Sequence, residues 1–380
     1  MGMKDSNAKA PGKILWVGGY SVLERPNISF VSAVNAYVTT TLEVNRMKEV
    51  VLDAPQLNMS SRGIIDGDSG CITVSVPKEL LLFKTAAEIA SRYAAGIGER
   101  VSGFNIAAKN DTPFAYSIST GKVVKSGLGS SAAITVATVG AILKSFEISF
   151  GENDALHKLA QIAHSIATGK VGSGFDIAAA SYGSILYTRY SPEMVKNLPT
   201  DYTNQQLVDL VKTSWDYKIE KLSLPRDFKL SFANFGESMI TTQAVGSVSE
   251  FKKNDPDTYS DLIMDINEEN WKTVNALKEI NNGNDKGLDE FKDAFDRGRS
   301  LTKKLGLLSN VSIEPDDCTR LIEESKNNGA FVAKLPGAGG KDAIAALSLD
   351  DKEQKRLHSF WRTRKELNMI DIGTVDTGAL

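Results

Sequence analysis

Residues 123–143 read VVKSGLGSSAAITVATVGAIL, two glycines and two serines set directly before a long run of small, helix-compatible residues. Gly127 and Gly129 carry no Cβ, so the backbone there can turn sharply and admit a close neighbour. Ser130 and Ser131 add hydroxyls and free N–H groups where the helix dipole is positive. Such a helix start grips an anion, and the small residues behind it also permit close packing. As a dinucleotide fingerprint, GLGSSA would put Ala132 at the third small position and Glu147 near a ribose. That fingerprint belongs in a first βαβ unit, however, and several strands are expected before this point. No Gly-Lys pair in the chain is followed by Ser or Thr, which excludes a Walker A loop, and the protein-kinase signatures HRD and DFG are missing.

Upstream, residues 14–18 (ILWVG) and 30–44 (FVSAVNAYVTTTLEV) are rich in β-branched and aromatic residues and read as strands. Further strands are expected at 71–76 and 103–108, with a helix over 78–95. Downstream, a helix is expected at 153–168, and FDIAAASYGSILYTRY turns from helix to strand near Gly183. Strands and helices mix without strict βαβ alternation, which favours an α+β fold over a doubly wound sheet. A chain of 380 residues exceeds one ordinary core. Between 191 and 226 the periodicity loosens and three prolines occur, so the junction is placed there, between domains 1–200 and 225–380. The second domain is expected to open with a strand in FKLSFANF, continue with amphipathic helices over 241–329, and close with AFVAKLPGAGGKDAIAALSL.

The net charge of −3, with 42% apolar and 24% charged residues, describes a soluble globular chain without the basic face that nucleic acids require. Two cysteines, Cys71 and Cys318, lie far apart and fit a reducing cytoplasm. His157, His164 and His358 are too scattered for a metal site. Neither a signal peptide nor a membrane span is legible, and Met1-Gly2 is followed by Lys4-Asp5-Ser6, a poor myristoylation context. The expected partners are therefore small molecules, with no nucleic acid and no membrane, in the cytoplasm. Oligomeric state is not legible.

Three more glycine clusters stand out. APGKILWVGGYSVL (10–23) sets Lys13 just before a buried strand that ends in Gly18-Gly19, an unusual place for glycine. TGKVGSGFDIAAASYG (168–183) puts Asp176 after a Gly-Ser-Gly turn at another small-residue helix, where capping is the plainer explanation. LPGAGGKDAIAAL (335–347) lies in the second domain.

Together these segments resemble the GHMP kinases, a superfamily of small-molecule kinases; the family's three motifs occur here in order and span nearly the whole chain. The match is tightest to the branch whose acceptor is (R)-5-phosphomevalonate, through GKVGSGFDIAAASYGSI, Gly19-Tyr20 and the IEP of 313–315. The resemblance implies a two-domain α+β fold: an N-terminal domain like ribosomal protein S5 domain 2, and a ferredoxin-like C-terminal domain. It implies transfer of the ATP γ-phosphoryl group to that acceptor, giving (R)-5-diphosphomevalonate in the mevalonate pathway of isoprenoid synthesis. Other enzymes of the superfamily, such as a mevalonate kinase or a mevalonate-phosphate decarboxylase, and a catalytically silent nucleotide sensor are the rivals.

By the same resemblance, ATP would lie on Lys125, Ser126, Gly127, Leu128, Gly129, Ser130, Ser131 and Ala132, with Ser131 holding Mg²⁺. Lys13 and Asp176 would be the catalytic pair. Tyr20, Lys170, Ser173 and the loop Gly337, Ala338, Gly339, Gly340 would meet the acceptor. One departure is visible: the third motif usually reads Gly-Gly-Gly-Asp, and here it is GGKD, with Lys341 in place of a glycine. Either glycine's freedom is not needed there, or Lys341 joins the phosphate site.

Overall fold

The computed structural model describes residues 2–45, 47–111, 114–117, 123–149, 154–235 and 241–380. The first part of the chain runs β1 (Ser6–Val17), β2 (Ser29–Val44), β3 (Glu49–Ala54), β4 (Met59–Ile65), β5 (Ile72–Thr73), α1 (Leu81–Gly96), β6 (Phe104–Asn110), β7 (Ala115–Ser117) and β8 (Val123–Lys125). It continues with α2 (Ser130–Ser145), α3 (Asp154–Thr168), α4 (Phe175–Tyr182), β9 (Ile185–Thr188), α5 (Glu193–Lys196), α6 (Asn204–Lys212) and β10 (Lys218–Lys221). The second part holds β11 (Lys229–Asn234), α7 (Thr241–Asn254), α8 (Pro256–Asn281), α9 (Gly287–Leu308), α10 (Asp316–Asn327), β12 (Val332–Lys334), β13 (Ala343–Ser348), α11 (Asp351–Trp361), β14 (Asn368–Ile370) and β15 (Thr374–Val375).

The large sheet has the order β10-β9-β2-β6-β3-β4-β5, with β1 and β15 also paired to β2. Its one parallel pair among the described strands is β3 with β6, so the sheet is mixed, as an α+β reading requires. Helix α2 packs on it with apolar residues on every side; Ala132, Ala133, Val136, Ala137, Ile142 and Leu143 are all buried. A Cβ on Gly140 would stand 3.2 Å from the Cβ of Ala8 on β1. The small residues of the opening stretch therefore do bring helix and sheet together, besides whatever its first turn binds.

The second sheet is antiparallel with the order β12-β13-β11-β14. Counted along the chain this is strand–helices–strand–strand–helix–strand with spatial order 2-3-1-4, the split βαβ of a ferredoxin-like domain. Along β13 the residues alternate between two cores. Ala343, Ala345 and Leu347 face the core shared with α8 and α9, while Ile344 and Ala346 face α10 and α11.

The boundaries differ from the sequence expectation in three places. Strand β1 begins at Ser6 rather than at residue 14, because Ser6 to Val17 pair continuously with β2 apart from two bulges. Lys13 thus lies within a strand and not ahead of one. The region read as a loose junction carries α6, opened by a Thr203–Gln206 capping box, and β10, which pairs with β9 of the large sheet. At the other end, β15 returns to pair with β2, and Leu380 exchanges backbone hydrogen bonds with Lys9 at 2.9 Å. The tail of the second segment therefore packs on the first.

Candidate active site

The two register shifts in β1 fall at Pro11/Gly12 and Leu15/Val17 and bracket Lys13. Its backbone N–H donates to the Leu128 carbonyl at 2.8 Å, and its ammonium donates to the Gly127 carbonyl, also at 2.8 Å. A Cβ on Gly12 would come within 2.9 Å of the Leu128 oxygen. The strand thus lies hard against the loop that opens α2.

That loop leaves the helix end free. Gly129, the N-cap of α2, has φ 83°, a left-handed conformation that favours glycine, and no side chain caps the helix. Ser130 and Ser131 are half-buried in its first turn, which carries no acidic residue. The Ser126 hydroxyl is buried and has no partner among the described residues. Lys125 is placed by its backbone in β8; its side chain lies outside the described residues.

Asp176 sits in the first turn of α4, half-buried, its carboxylate accepting the N–H of Ile177 at 2.9 Å. It does not cap the helix: the N-cap is Gly174, with φ 78°. The preceding turn is held from beneath. Gln161 donates to the Gly174 carbonyl at 2.8 Å, the Tyr187 hydroxyl to Ser173 at 3.3 Å, and Arg189 to Gly172 at 2.7 Å. Gln161 also bonds His157 at 3.0 Å, whose imidazole burial pushes down to about 3. His157 is a structural, uncharged core residue.

Loss of solvent lowers the Lys13 ammonium from its ordinary range, and the charges of Asp176 and then Asp342 oppose that shift. Asp342 is the last residue of GGKD and immediately precedes β13. It is half-buried and burial raises its carboxyl, while Lys13 pulls it back down. An ideal Cβ on Gly127 would stand 2.8 Å from its Oδ2. Sequence reading passed over this residue, although it lies inside a quoted motif.

One expectation needs correction, and one open alternative narrows. Tyr20 does not line an open pocket. Its ring is buried among Tyr259, Leu262, Ile263 and Ile313, and its hydroxyl donates to the Ala338 carbonyl at 2.8 Å. Its backbone has φ 60° and ψ −47°, with the Ser21 N–H bonded to the Gly19 carbonyl at 2.7 Å, a strained γ-turn. Lys341, for its part, forms an ion pair with Asp317 of α10 at 2.6 Å and has no positive φ. The freedom of glycine is not needed at 341, and its cation is directed to α10.

The remaining residues lie as follows. Ser173 is half-buried in the turn before α4, and Lys170 is exposed between α3 and α4. Gly340 donates to the Ile313 carbonyl at 2.8 Å, and a side chain at Gly339 would collide with that same oxygen. This gives the IEP segment its place as the floor of the third glycine loop. Gly337 approaches the other domain: a Cβ on Gly19 would lie 3.3 Å from its carbonyl. Lys334, lowered to about 8 by burial, caps the Trp16 carbonyl of β1 at 2.7 Å. Lys13, the start of α2, Asp176 and the segment before β13 therefore converge where the two domains meet.

Two family models match the chain. The GHMP kinases N-terminal domain matches residues 81–184 and the GHMP kinases C-terminal domain matches 266–366. The chain belongs to the GHMP kinases. Within them it is similar to phosphomevalonate kinases: that of Saccharolobus solfataricus is 31% identical over 372 residues, spanning 96% of this chain and 95% of the relative. The peroxisomal phosphomevalonate kinase of Arabidopsis thaliana is 28% identical over 473 residues, spanning 96% and 93%. The structure of Streptococcus pneumoniae phosphomevalonate kinase in complex with phosphomevalonate and AMPPNP superimposes with a TM-score of 0.76 over 97% of this chain and 99% of its own, at 19% identity, and shares the fold.

Proposed function

We propose that the chain transfers the γ-phosphoryl group of ATP to (R)-5-phosphomevalonate, giving (R)-5-diphosphomevalonate and ADP. The observation that carries this reading is the position of Lys13. Its ammonium stands on the loop that opens α2, at the domain junction, within reach of the charges of Asp176 and Asp342, in a chain whose near-full-length relatives include phosphomevalonate kinases.

The triphosphate would lie on the uncapped N-terminus of α2, between Ser126 and Ala132, where free N–H groups and the helix dipole favour an anion. Mg²⁺ takes hard oxygen ligands. No group of three or more His, Cys, Asp or Glu that could hold an ion occurs among the described residues, so the fit is to an ion carried on phosphate oxygens with the Ser131 hydroxyl as protein ligand. When bound, it neutralises charge on the transferring group. Lys125, in β8, is a further cation for the nucleotide.

The acceptor is itself a phosphate monoester with a second pKa of about 6, so near neutral pH it is already largely dianionic. A strong base is unnecessary. Lys13 neutralises and aligns the two phosphates, Asp176 orients Lys13 and the acceptor, and positioning dominates the rate. Ser173 and the loop Gly337–Gly340 shape the acceptor pocket, Tyr20 holds that loop in place, and exposed Lys170 is a candidate cation for the acceptor.

The test is an ADP-release screen over mevalonate, its phosphates, homoserine and galactose. Turnover should require mevalonate 5-phosphate and Mg²⁺; comparable turnover of unphosphorylated mevalonate overturns the specificity, and release of carbon dioxide points to a decarboxylase instead. We place the reaction in the cytoplasm, in keeping with free Cys71 and Cys318. No helix among the described residues is long and apolar enough to cross a membrane. Imaging of the tagged full chain distinguishes the cytoplasm from the peroxisome named for the plant relative.

A further inference from the structure

We infer that Asp342 is a positioning residue of the transfer reaction: from the C-terminal domain, it shares Lys13 with Asp176 and keeps that ammonium charged and seated on the phosphate loop. The inference rests on the kinase reading above. It concerns a residue to which the family motifs, as read from the sequence, give no role.

Lys13 and Asp342 meet at one residue, Gly127, whose carbonyl accepts from the ammonium and whose Cα lies against the carboxylate. Lys13 comes from β1, at a position fixed by the bulges on either side of it. Asp176 comes from the first turn of α4, on the same domain. Asp342 comes from the other domain, at the start of β13, whose strand pairs with β11 and β12 fix it firmly. Its backbone carbonyl also accepts the Phe235 N–H at 3.2 Å. The carboxylate lies against Gly127, the residue whose carbonyl accepts the Lys13 hydrogen bond. Any side chain at 127 would displace it.

The groups facing Lys13 from each packed element can be named. The Gly127 carbonyl and the positive end of α2 come from the loop, Asp176 from α4, and Asp342 from the second domain. The α2 terminus and burial both disfavour a cation there. The two carboxylates supply what holds it. Asp342 differs from Asp176 in being carried by the C-terminal domain, against the loop that opens α2. Lys13 is therefore fully supported only when the two domains are together. When phosphates arrive on α2, their charge takes over part of this support, and Lys13 can leave the Gly127 carbonyl for them.

The test is a cycle of wild type, Asp342→Asn, Lys13→Met and the double variant, assayed for kcat at saturating substrates and for nucleotide affinity with and without Mg²⁺. Asp342→Asn should lower kcat roughly 10- to 100-fold, the scale of a misplaced reacting group, with nucleotide affinity unchanged or tighter. In the Lys13→Met background it should cost nothing further, because its effect passes through Lys13. Multiplying losses in the double variant, or a weakened Mg²⁺–nucleotide complex in Asp342→Asn, overturns the inference; the latter would make Asp342 a metal or nucleotide ligand.

A readout without substrate separates this inference from the proposed activity. Acetylation of Lys13 by limiting acetic anhydride at pH 8, followed by peptide mass, reports the neutral amine. Removing Asp342 should speed it about three- to tenfold, equivalent to a drop in pKa of up to about one unit. An unchanged rate overturns the inference whatever the acceptor. A wild type inert toward phosphomevalonate but with this acceleration overturns only the activity. Should Asp342→Asn fail to fold, Asp342→Glu, which keeps the charge on a longer arm, serves in its place. It should retain slow labelling with a partial loss of kcat, and fast labelling would contradict the account.

Discussion

Helices α2 and α4 begin alike and end up doing opposite things. Each is entered through a glycine in the left-handed conformation, Gly129 at φ 83° and Gly174 at φ 78°, and neither has a side-chain cap. Both therefore present unsatisfied N–H groups and a positive dipole end to the same cleft. The first turn of α2 holds two serines and no acid, whereas that of α4 holds Asp176. One helix end awaits an anion from outside; the other has brought its own. The difference in support follows. The α2 loop is gripped by a cation, Lys13, and the α4 turn by neutral amide and hydroxyl donors and by Arg189. Similar backbone geometry thus becomes a phosphate cradle in one place and a fixed carboxylate in the other, and the choice is made by the residues one and two places past the glycine.

The comparison can be broken in four ways. The largest effect is expected from Lys13→Met, which removes the cation between the two ends. Turnover should fall roughly 10³-fold, the loss typical of a transition-state electrostatic contact, while nucleotide still binds to the α2 backbone. Loss of binding equal to loss of turnover, measured by titration calorimetry, would show that the loop cannot hold phosphates by itself. Next, Ser131→Ala should lower turnover roughly 10²-fold, more at limiting Mg²⁺, with a smaller loss of affinity. Wild-type activity at limiting Mg²⁺ would remove Ser131 from the metal site.

The third variant addresses the other helix. In Gly174→Ala a Cβ would stand 2.7 Å from the Gln161 amide and 2.9 Å from the Tyr187 hydroxyl, at a positive φ. Thermal or urea unfolding should show a loss of about 1–3 kcal/mol, and an unchanged midpoint would mean the turn is not held as described. The smallest effect belongs to Lys341→Gly, which restores the usual third motif. Its ion pair with Asp317 is a little under half exposed on both sides, so stability should change by less than about 1 kcal/mol and turnover hardly at all. A large drop in kcat would return Lys341 to the phosphate site.

Much of this site was legible because its signals are local. The Gly-Leu-Gly-Ser-Ser start of α2, the turn before Asp176 and the helix-to-strand change at Gly183 are each written within a few residues. What was missed depends on distant partners. Nothing in residues 6–13 shows that they extend β1, since that follows from pairing with β2. Arg189 gains its role only when β9 lies beside β2 and its guanidinium reaches Leu23 and Gly172. Tyr20 looked like a pocket residue because its motif suggested one, but the apolar faces of α7 and α8 claim its ring. The return of β15 to the first sheet has no local mark at all. In two places a readable signal was passed over: the Thr-Asn-Gln-Gln capping box that opens α6, and Asp342 directly behind a glycine cluster whose neighbours had been assigned.

The central claim is that charge placement, with no protein base, carries phosphoryl transfer to an acceptor that is already ionised. It is tested most directly by turnover against pH for wild type and Asp176→Asn at saturating ATP and Mg²⁺. The wild type should show an acid limb near pH 6, set by the acceptor phosphate. Burial lowers the Lys13 ammonium in the ligand-free protein, and the phosphates of bound ATP oppose that shift, so an alkaline limb is expected to move up with ATP saturation. Asp176→Asn should turn over roughly 10²–10⁴-fold more slowly and keep the acid limb. A variant that lacks the acid limb and recovers its rate as pH is raised would contradict the account, and would establish Asp176 as the base that accepts the acceptor's proton.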